Sequence, residues 1–168
     1  MSGNLKEARD RFIYSWGEMG PQWGINRTMA QLHALLMISE KPLSTNDVMK
    51  ELGISRGNAN MNLRSLVDWG LIRRVFVKGD RKEYFQSEKD IWNMFCRVAR
   101  ERKKREIEPV LETMQECLAL ADKDRAATHF RERVGELLDL VKTLDYVLGK
   151  LAQQEKNAVV PRILKLLT

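Results

Sequence analysis

The sequence predicts a mainly α-helical protein with one small β-hairpin, and three observations carry this expectation. Apolar residues recur every three or four positions along most of the 168 residues, which is the period of an amphipathic helix. Gly53 and Gly70 each follow such a stretch, where glycine ends a helix at low cost. Residues 71–77 and 83–87 are instead two short runs rich in β-branched and aromatic residues, typical of paired strands.

Two short helices are predicted on either side of Gly53. The first begins at Ser44 or Thr45, whose hydroxyl can accept a hydrogen bond from a free backbone N–H at a helix start. Ser55 is expected to cap the second helix, which is predicted over residues 56–69. The predicted inward face of this second helix consists of Ala59, Leu63, Leu66 and Val67.

The opposite face of the second helix has an unusual composition. Its members are Arg56, Gly57, Asn60, Met61 and Arg64. Asparagine is a mediocre helix former, yet Asn58, Asn60 and Asn62 all fall in the first two turns. Asparagine and arginine can form paired hydrogen bonds with adenine and guanine, so this face fits direct readout in a major groove. The alternative is three solvated asparagines near a helix start.

The turn between the two short strands is strongly basic. The segment Lys78-Gly79-Asp80-Arg81-Lys82 suits a tip that lies along phosphates or places Arg81 in a minor groove. We expect Asp80 to orient Arg81 or Lys82 rather than to contact DNA. Arg73 and Arg74 add charge where the hairpin leaves the helix. A helix pair followed by a basic hairpin predicts a winged helix-turn-helix core, which mostly binds DNA, flanked by further helices on its N- and C-terminal sides.

The chain is therefore divided into three predicted regions. Residues 1–25 form an N-terminal helix, residues 26–88 the winged helix-turn-helix domain, and residues 89–168 a C-terminal helical region. In a helix predicted over residues 123–154, apolar residues alternate in spacing between four and three, which is a heptad seam. This seam consists of Phe130, Val134, Leu137, Val141, Leu144, Leu148 and Leu151. Its partner is either a second copy of the chain or the preceding helix of the same chain.

Three further features of the C-terminal region carry expectations. Pro109 predicts a kink or restart of the preceding helix near residues 106–108. The basic run at residues 97–105 is interpreted as a solvated helix face, in preference to a DNA contact or to pairing with acidic residues across a dimer. A short apolar helix is predicted over residues 159–167.

Composition narrows the classes of function. The net charge of +6 and the pI of about 9.4 favour an anionic partner. No apolar run approaches the length of a membrane span. Met1-Ser2-Gly3-Asn4 precedes an amphipathic helix rather than a signal-peptide core, so a cytoplasmic protein without a membrane partner is expected.

Enzymatic and metal-dependent functions are disfavoured. The sequence has neither a glycine-rich phosphate loop nor a nucleophile elbow. Its two histidines, His33 and His129, are interpreted as packed or surface residues rather than catalysts. Cys96 and Cys117 do not have metal-ligand spacing and are interpreted as inert thiols. We expect no enzyme activity, no cofactor and no metal.

Three segments carry a family resemblance: LGISRGNANMNLR at residues 52–64, DWGLI at 68–72 and GDRKEY at 79–84. They resemble the GbsR branch of the MarR family of bacterial and archaeal regulators, over residues 42–105. The resemblance implies a homodimeric transcriptional regulator, usually a repressor, in which the N-terminal helix (residues 1–25) and the C-terminal helices (residues 89–168) form the dimerisation region. A dimer would fit a palindromic operator in double-stranded DNA. The expected DNA-binding residues are Ser55, Arg56, Asn58, Asn60, Met61, Arg64, Arg73, Lys78, Arg81 and Lys82.

Several members of this branch sense choline or glycine betaine, which implies a candidate small-molecule effector. Aromatic faces attract a quaternary ammonium. The candidate effector-binding residues are Tyr14, Trp16, Trp23, Trp92 and Phe95. The alternative is that these rings simply fill hydrophobic seams.

A function of another class is a winged-helix module that binds protein or RNA without specific DNA readout. Protein-docking versions tend to expose apolar or acidic residues on the second helix. Here that face shows Arg56, Asn60 and Arg64, which favours DNA.

Overall fold

The computed structural model describes residues 3–122 and 124–153. The α-helices within these residues are α1 (Gly3–Met19), α2 (Arg27–Ile38), α3 (Thr45–Leu52), α4 (Arg56–Asp68), α5 (Ile91–Arg102), α6 (Glu108–Ala121) and α7 (Thr128–Ala152). The strands are β1 (Leu43–Ser44), β2 (Ile72–Val75) and β3 (Tyr84–Ser87). The predicted mainly helical fold with a small β-hairpin is confirmed. The chain divides after Met94 into two compact units. None of the helices described is long and apolar enough to cross a membrane.

The core of the first unit is built around α2. Its buried residues are Met29, Ala30, Leu32, His33, Ala34, Leu35 and Leu36. These residues cover most of the circumference of the helix, and α1, α3 and α4 all pack against it. Gly20 lies in a 3₁₀ turn before α2, and a Cβ there would stand 2.8 Å from the Cβ of Ala30. A side chain at position 20 would therefore push the turn away from α2.

His33 is a neutral member of this core. Only 3% of the residue is exposed, and no hydrogen bond to Nε2 is present among the described residues. Burial penalises the charged ring and lowers the pKa of His33 from 6.5 to about 4. Its position agrees with the interpretation of His33 as a packed residue.

Acidification should therefore destabilise the first unit through His33. The unfolded chain binds a proton there near pH 6.5, whereas the folded chain binds it only near pH 4. Stability is consequently lost as the pH falls through this window, by about 1 kcal/mol between pH 7 and 5.5. Chemical denaturation at both pH values measures the effect. His33→Leu should remove this part of the pH dependence, and His129→Leu, at an exposed position, should not. Equal pH dependence in wild type and His33→Leu would refute the assignment.

The predicted helix pair is present, with both predicted caps. Ser44 begins α3: its Oγ accepts from the N–H of Asp47 at 3.3 Å, while the Asp47 carboxylate accepts from the N–H of Ser44 at 2.8 Å. Hydrogen bonds from the side chain and backbone of Ser44 lower the pKa of Asp47. Gly53 ends α3 with a φ of 63°, and Ser55 accepts from the N–H of Asn58 at the start of α4.

The sheet contains one strand more than the predicted hairpin. Its order is β1-β3-β2, all antiparallel, and β1 pairs through Leu43 with Phe85. A strand of two residues is too short to show alternation in the sequence. The hairpin strands are also shorter than the apolar runs, because pairing ends at Val75 opposite Tyr84. Phe76, the next residue, is 98% exposed.

The second unit contains the predicted helix restart. A π-helical turn at Lys103–Ile107 precedes α6, and Pro109 lies in its first turn. Lys103 Nζ lies 2.9 Å from Asp145 Oδ1 and 3.0 Å from Glu108 Oε1, and these two carboxylates raise the pKa of Lys103. The interpretation of residues 97–105 as a solvated face is therefore wrong for Lys103, which ties the π-helical turn to α7. Arg102 likewise pairs with Glu106 at 2.9 Å.

Helix α7 starts later than predicted, after a 3₁₀ turn at Arg125–Ala127. It packs against α6, and Leu138, which is not a seam residue, is buried at 6% exposure. The seam residues Phe130, Leu137 and Leu144 are 45%, 46% and 50% exposed. Packing against α6 therefore leaves these three seam residues exposed, whereas Val134, Val141 and Leu148 are half-buried. The side chain of Leu151 and the helix predicted over 159–167 lie outside the described residues.

Candidate DNA-binding surface

Helix α4 presents a polar and basic face that is anchored at its first turn. Arg56, Asn60 and Arg64 follow at intervals of four residues and so lie along one side of the helix. Arg56 Nη2 donates to Asn46 Oδ1 at 2.8 Å, which holds this guanidinium against α3. Arg64 and Met61 are exposed, and Asn60 is half-buried. The face thus combines one fixed and one free guanidinium.

The basic tip of the hairpin is ordered by Asp80. Its Oδ1 accepts from the backbone N–H of Lys82 at 2.9 Å, and its Oδ2 accepts from the hydroxyl of Tyr84 at 2.8 Å. These two bonds lower the pKa of Asp80, so the carboxylate remains charged and keeps its acceptor role. Gly79 adopts a φ of 89°, in the left-handed region that favours glycine. The expectation that Asp80 orients Lys82 is confirmed.

Three of the expected DNA-binding cations are available for a ligand. Across residues 3–122 and 124–153, no hydrogen bond or ion pair engages the side chains of Arg64, Lys78 and Arg81, and all three residues are exposed. Arg73 differs, because its Nη2 donates to Gln86 Oε1 on the neighbouring strand at 3.2 Å. Lys82 is exposed and lies 3.6 Å from Asp80. The free positive charge is therefore shared between α4 and the hairpin tip.

The asparagines of α4 are not three solvated side chains. Asn62 is buried, with 1% exposed, and its Nδ2 donates to Asn58 Oδ1 at 2.6 Å. Asn58, an expected DNA contact, is half-buried and already uses its Oδ1 in this bond. The alternative interpretation, three solvated asparagines near a helix start, is therefore wrong for Asn62. The period of the helix could have revealed this, since Asn62 lies three positions after Ala59 on the inward side.

The expected effector-binding residues do not all lie in one cluster. Trp16 and Trp23 are in edge-to-face contact with ring centroids 5.2 Å apart, and Phe12 extends the cluster at 5.5 Å from Trp16. Trp16 Nε1 is buried without a hydrogen-bond partner in the described structure. Tyr14 is 55% exposed, and Arg27 stacks over its ring at 4.9 Å. Trp92 and Phe95 lie on α5, where Trp92 is half-buried and Phe95 is exposed.

Three residues that position the surface were not among the expected sites. They are Asn46, which holds Arg56; Tyr84, which holds Asp80; and Asn26, which donates to Asn62 at 2.8 Å. Asn26 and Asn62 are thirty-six positions apart in the chain. Contacts between elements so distant in sequence leave no periodic signal.

Known proteins that resemble this chain are regulators of transcription. A family model described as the MarR family matches residues 23–83. Two relatives come from Bacillus subtilis (strain 168). The putative HTH-type transcriptional regulator YvaV is 24% identical over 91 residues, or 54% of this chain and 51% of YvaV. The HTH-type transcriptional repressor GbsR is 24% identical over 115 residues, or 68% of this chain and 63% of GbsR.

A solved structure is similar over a larger share of the chain. It is described as the crystal structure of a transcriptional regulator, and it matches with a TM-score of 0.59 and 25% identity. The match covers 88% of this chain and 97% of the solved one. In contrast, the matched segment spans less than two thirds of the length of each of the two relatives from Bacillus.

Proposed function

We propose, from the premise that this chain belongs to the MarR family, that it is a sequence-specific DNA-binding regulator of transcription. The observation that carries the proposal is the set of exposed, unpaired cations at Arg64, Lys78 and Arg81 among the described residues. A helix and a hairpin that both offer free positive charge match the two contacts that a winged helix-turn-helix makes with a duplex. We retain residues 26–88 as the proposed DNA-binding domain.

In the proposed complex, α4 enters a major groove and the hairpin tip follows the backbone. Arg64 is assigned to base edges, since a free guanidinium can bond the O6 and N7 of guanine together. Lys78 and Lys82 are assigned to phosphates, and Arg81 to a phosphate or a minor groove. Arg56 is assigned to positioning, because Asn46 already engages it.

The active form is proposed to be a homodimer. The exposed seam residues Leu137 and Leu144 of α7 support this proposal, because leucines at heptad spacing bury their apolar surface when a second helix packs on them. Two winged helices related by a two-fold axis would read a palindromic operator. Repression is the proposed sign of regulation, because the relative GbsR is a transcriptional repressor. The proposed location is the cytoplasm, and no enzymatic activity is proposed.

A small-molecule effector is proposed to bind near the Trp16–Trp23 pair. The buried and unpartnered Trp16 Nε1 supports a ligand with a hydrogen-bond acceptor, and the ring faces suit a quaternary ammonium. Glycine betaine combines both groups. Isothermal titration with choline and glycine betaine should detect binding that Trp16→Leu abolishes. If neither compound gives heat with the wild-type protein, this effector assignment is wrong.

Selection from a pool of random duplexes tests the proposed function. The full-length wild-type protein is incubated with the pool near physiological salt, where non-specific attraction is weakened by screening, and bound duplexes are amplified and sequenced. Enrichment of one motif with two inverted half-sites is expected. Recovery of duplexes without a common motif would refute sequence-specific binding.

A further inference from the structure

Three asparagines form a chain of hydrogen bonds from the start of α2 to the first turns of α4. The N–H of Met29 donates to Asn26 Oδ1 at 2.8 Å, and Asn26 Nδ2 donates to Asn62 Oδ1 at 2.8 Å. Asn62 Nδ2 then donates to Asn58 Oδ1 at 2.6 Å and to the backbone oxygen of Asn58 at 2.9 Å. The buried amide of Asn62 thus has partners for both of its hydrogens and for its oxygen.

Backbone groups at both ends of this series of hydrogen bonds fix its direction. The N–H of Met29 can only donate, so the atom of Asn26 that faces it must be the oxygen. The backbone oxygen of Asn58 can only accept, so the atom of Asn62 that faces it must be the amide nitrogen. For Asn26 and for Asn62, only one placement of the side-chain oxygen and nitrogen is compatible with these backbone groups. We call this placement the amide polarity. The polarity of Asn58 follows, because the nitrogen of Asn62 faces it.

We infer that Asn26 and Asn62 are positioning residues that hold the Asn58 amide with its oxygen inward and its NH₂ group away from Asn62. No partner for Asn58 Nδ2 is present in the described part of the chain. Asn58 lies in the first turn of α4, three residues after the cap Ser55. Its two free hydrogens are therefore available to a ligand that approaches the start of this helix.

The fixed polarity limits what Asn58 can recognise, and this step rests on the proposed function. Paired bonding to adenine requires an asparagine oxygen that accepts from N6 and a nitrogen that donates to N7. Here the oxygen faces Asn62, so Asn58 acts as a donor to acceptors of the DNA. These acceptors are base atoms such as guanine O6 and N7 or thymine O4, or a phosphate oxygen.

The amide polarity is measured first in the protein without DNA. In ¹⁵N-resolved NMR spectra of the wild-type protein, the side-chain NH₂ of Asn62 should exchange slowly with water, and that of Asn58 should exchange fast. Asn62→Leu serves to assign the Asn62 signals. A protected NH₂ on Asn58 would overturn the inference, whether or not the protein binds DNA.

The consequence for recognition is measured on the selected duplex with Asn58→Ala, Asn62→Leu and the double variant. If Asn58 bonds a base, each single change should cost about five-fold in preference at the same base pair. If Asn58 bonds a phosphate, each single substitution should weaken binding to all duplexes by about five-fold. In both cases the double variant should match Asn58→Ala, because Asn62 acts only through Asn58.

Two results separate this inference from the proposed function. Additive losses in the double variant, or no loss in Asn62→Leu, would overturn the positioning role while leaving DNA binding intact. If the wild-type protein selects no motif, the proposed function fails, and the NMR exchange rates still decide the amide polarity. Ser65→Ala is the matched control on α4, since within the described part of the chain its hydroxyl bonds only the backbone of Met61. It should keep the wild-type preference.

Discussion

Replacing Leu137 and Leu144 together by lysine should lower the affinity for a palindromic operator by about 100-fold or more. The two leucines are seven residues apart on the seam of α7 and are 46% and 50% exposed. In the homodimer we propose, a second copy covers them, and four lysines would then be forced into an apolar interface. Loss of the dimer leaves each DNA-binding domain with a single half-site.

Sedimentation velocity and fluorescence anisotropy measure the two consequences. The double variant should sediment as a folded monomer, since both positions are already half exposed within one chain. Tyr146→Lys is the matched control, because Tyr146 is 65% exposed but lies on the side of α7 opposite the seam. This control should remain dimeric and bind normally. A double variant that stays dimeric would show that the seam is not the interface.

Replacing Arg64 by alanine should cost specific binding about 1–3 kcal/mol and relax the preference at one base pair of each half-site. Arg64 is exposed and has no partner among the described residues, so the chain itself loses little when its guanidinium is removed. Lys78→Ala should instead weaken binding to all duplexes alike and reduce the slope of affinity against salt by about one. The two variants thus separate base readout from phosphate contact.

Anisotropy titrations at several salt concentrations, on the selected duplex and on a scrambled one, distinguish these effects. Arg74→Ala is a suitable control, because Glu83 pairs with that guanidinium at 3.6 Å. It should change both affinities less than Lys78→Ala does. Equal losses on both duplexes for Arg64→Ala and Lys78→Ala would remove the assignment of base readout to Arg64.

Local rules predicted much of the winged core. The caps at Ser44 and Ser55 and the left-handed Gly53 follow from backbone groups within a few residues of each other. The restart near Pro109 likewise follows from the missing N–H of proline. Such features depend on residues that are neighbours in the sequence, so they can be predicted from the sequence alone.

Features that depend on distant contacts were not predicted. Strand β1 forms only because Leu43 meets Phe85 across the sheet, and Asn62 is buried because Asn26 satisfies its oxygen. The half-buried Lys103 is paired by two carboxylates that follow it by 5 and 42 positions, in separate helices. In each case the stabilising partner is remote in sequence, so neither propensity nor periodicity indicates it.

The central claim, that this protein distinguishes one DNA sequence from others, is tested most directly by anisotropy of the selected duplex against a scrambled duplex of equal length. The titrations use the wild-type full-length protein near physiological salt. We predict a preference for the selected duplex of about 10³-fold or more, within the range of specific DNA-binding proteins. Equal affinities for the two duplexes would contradict the account.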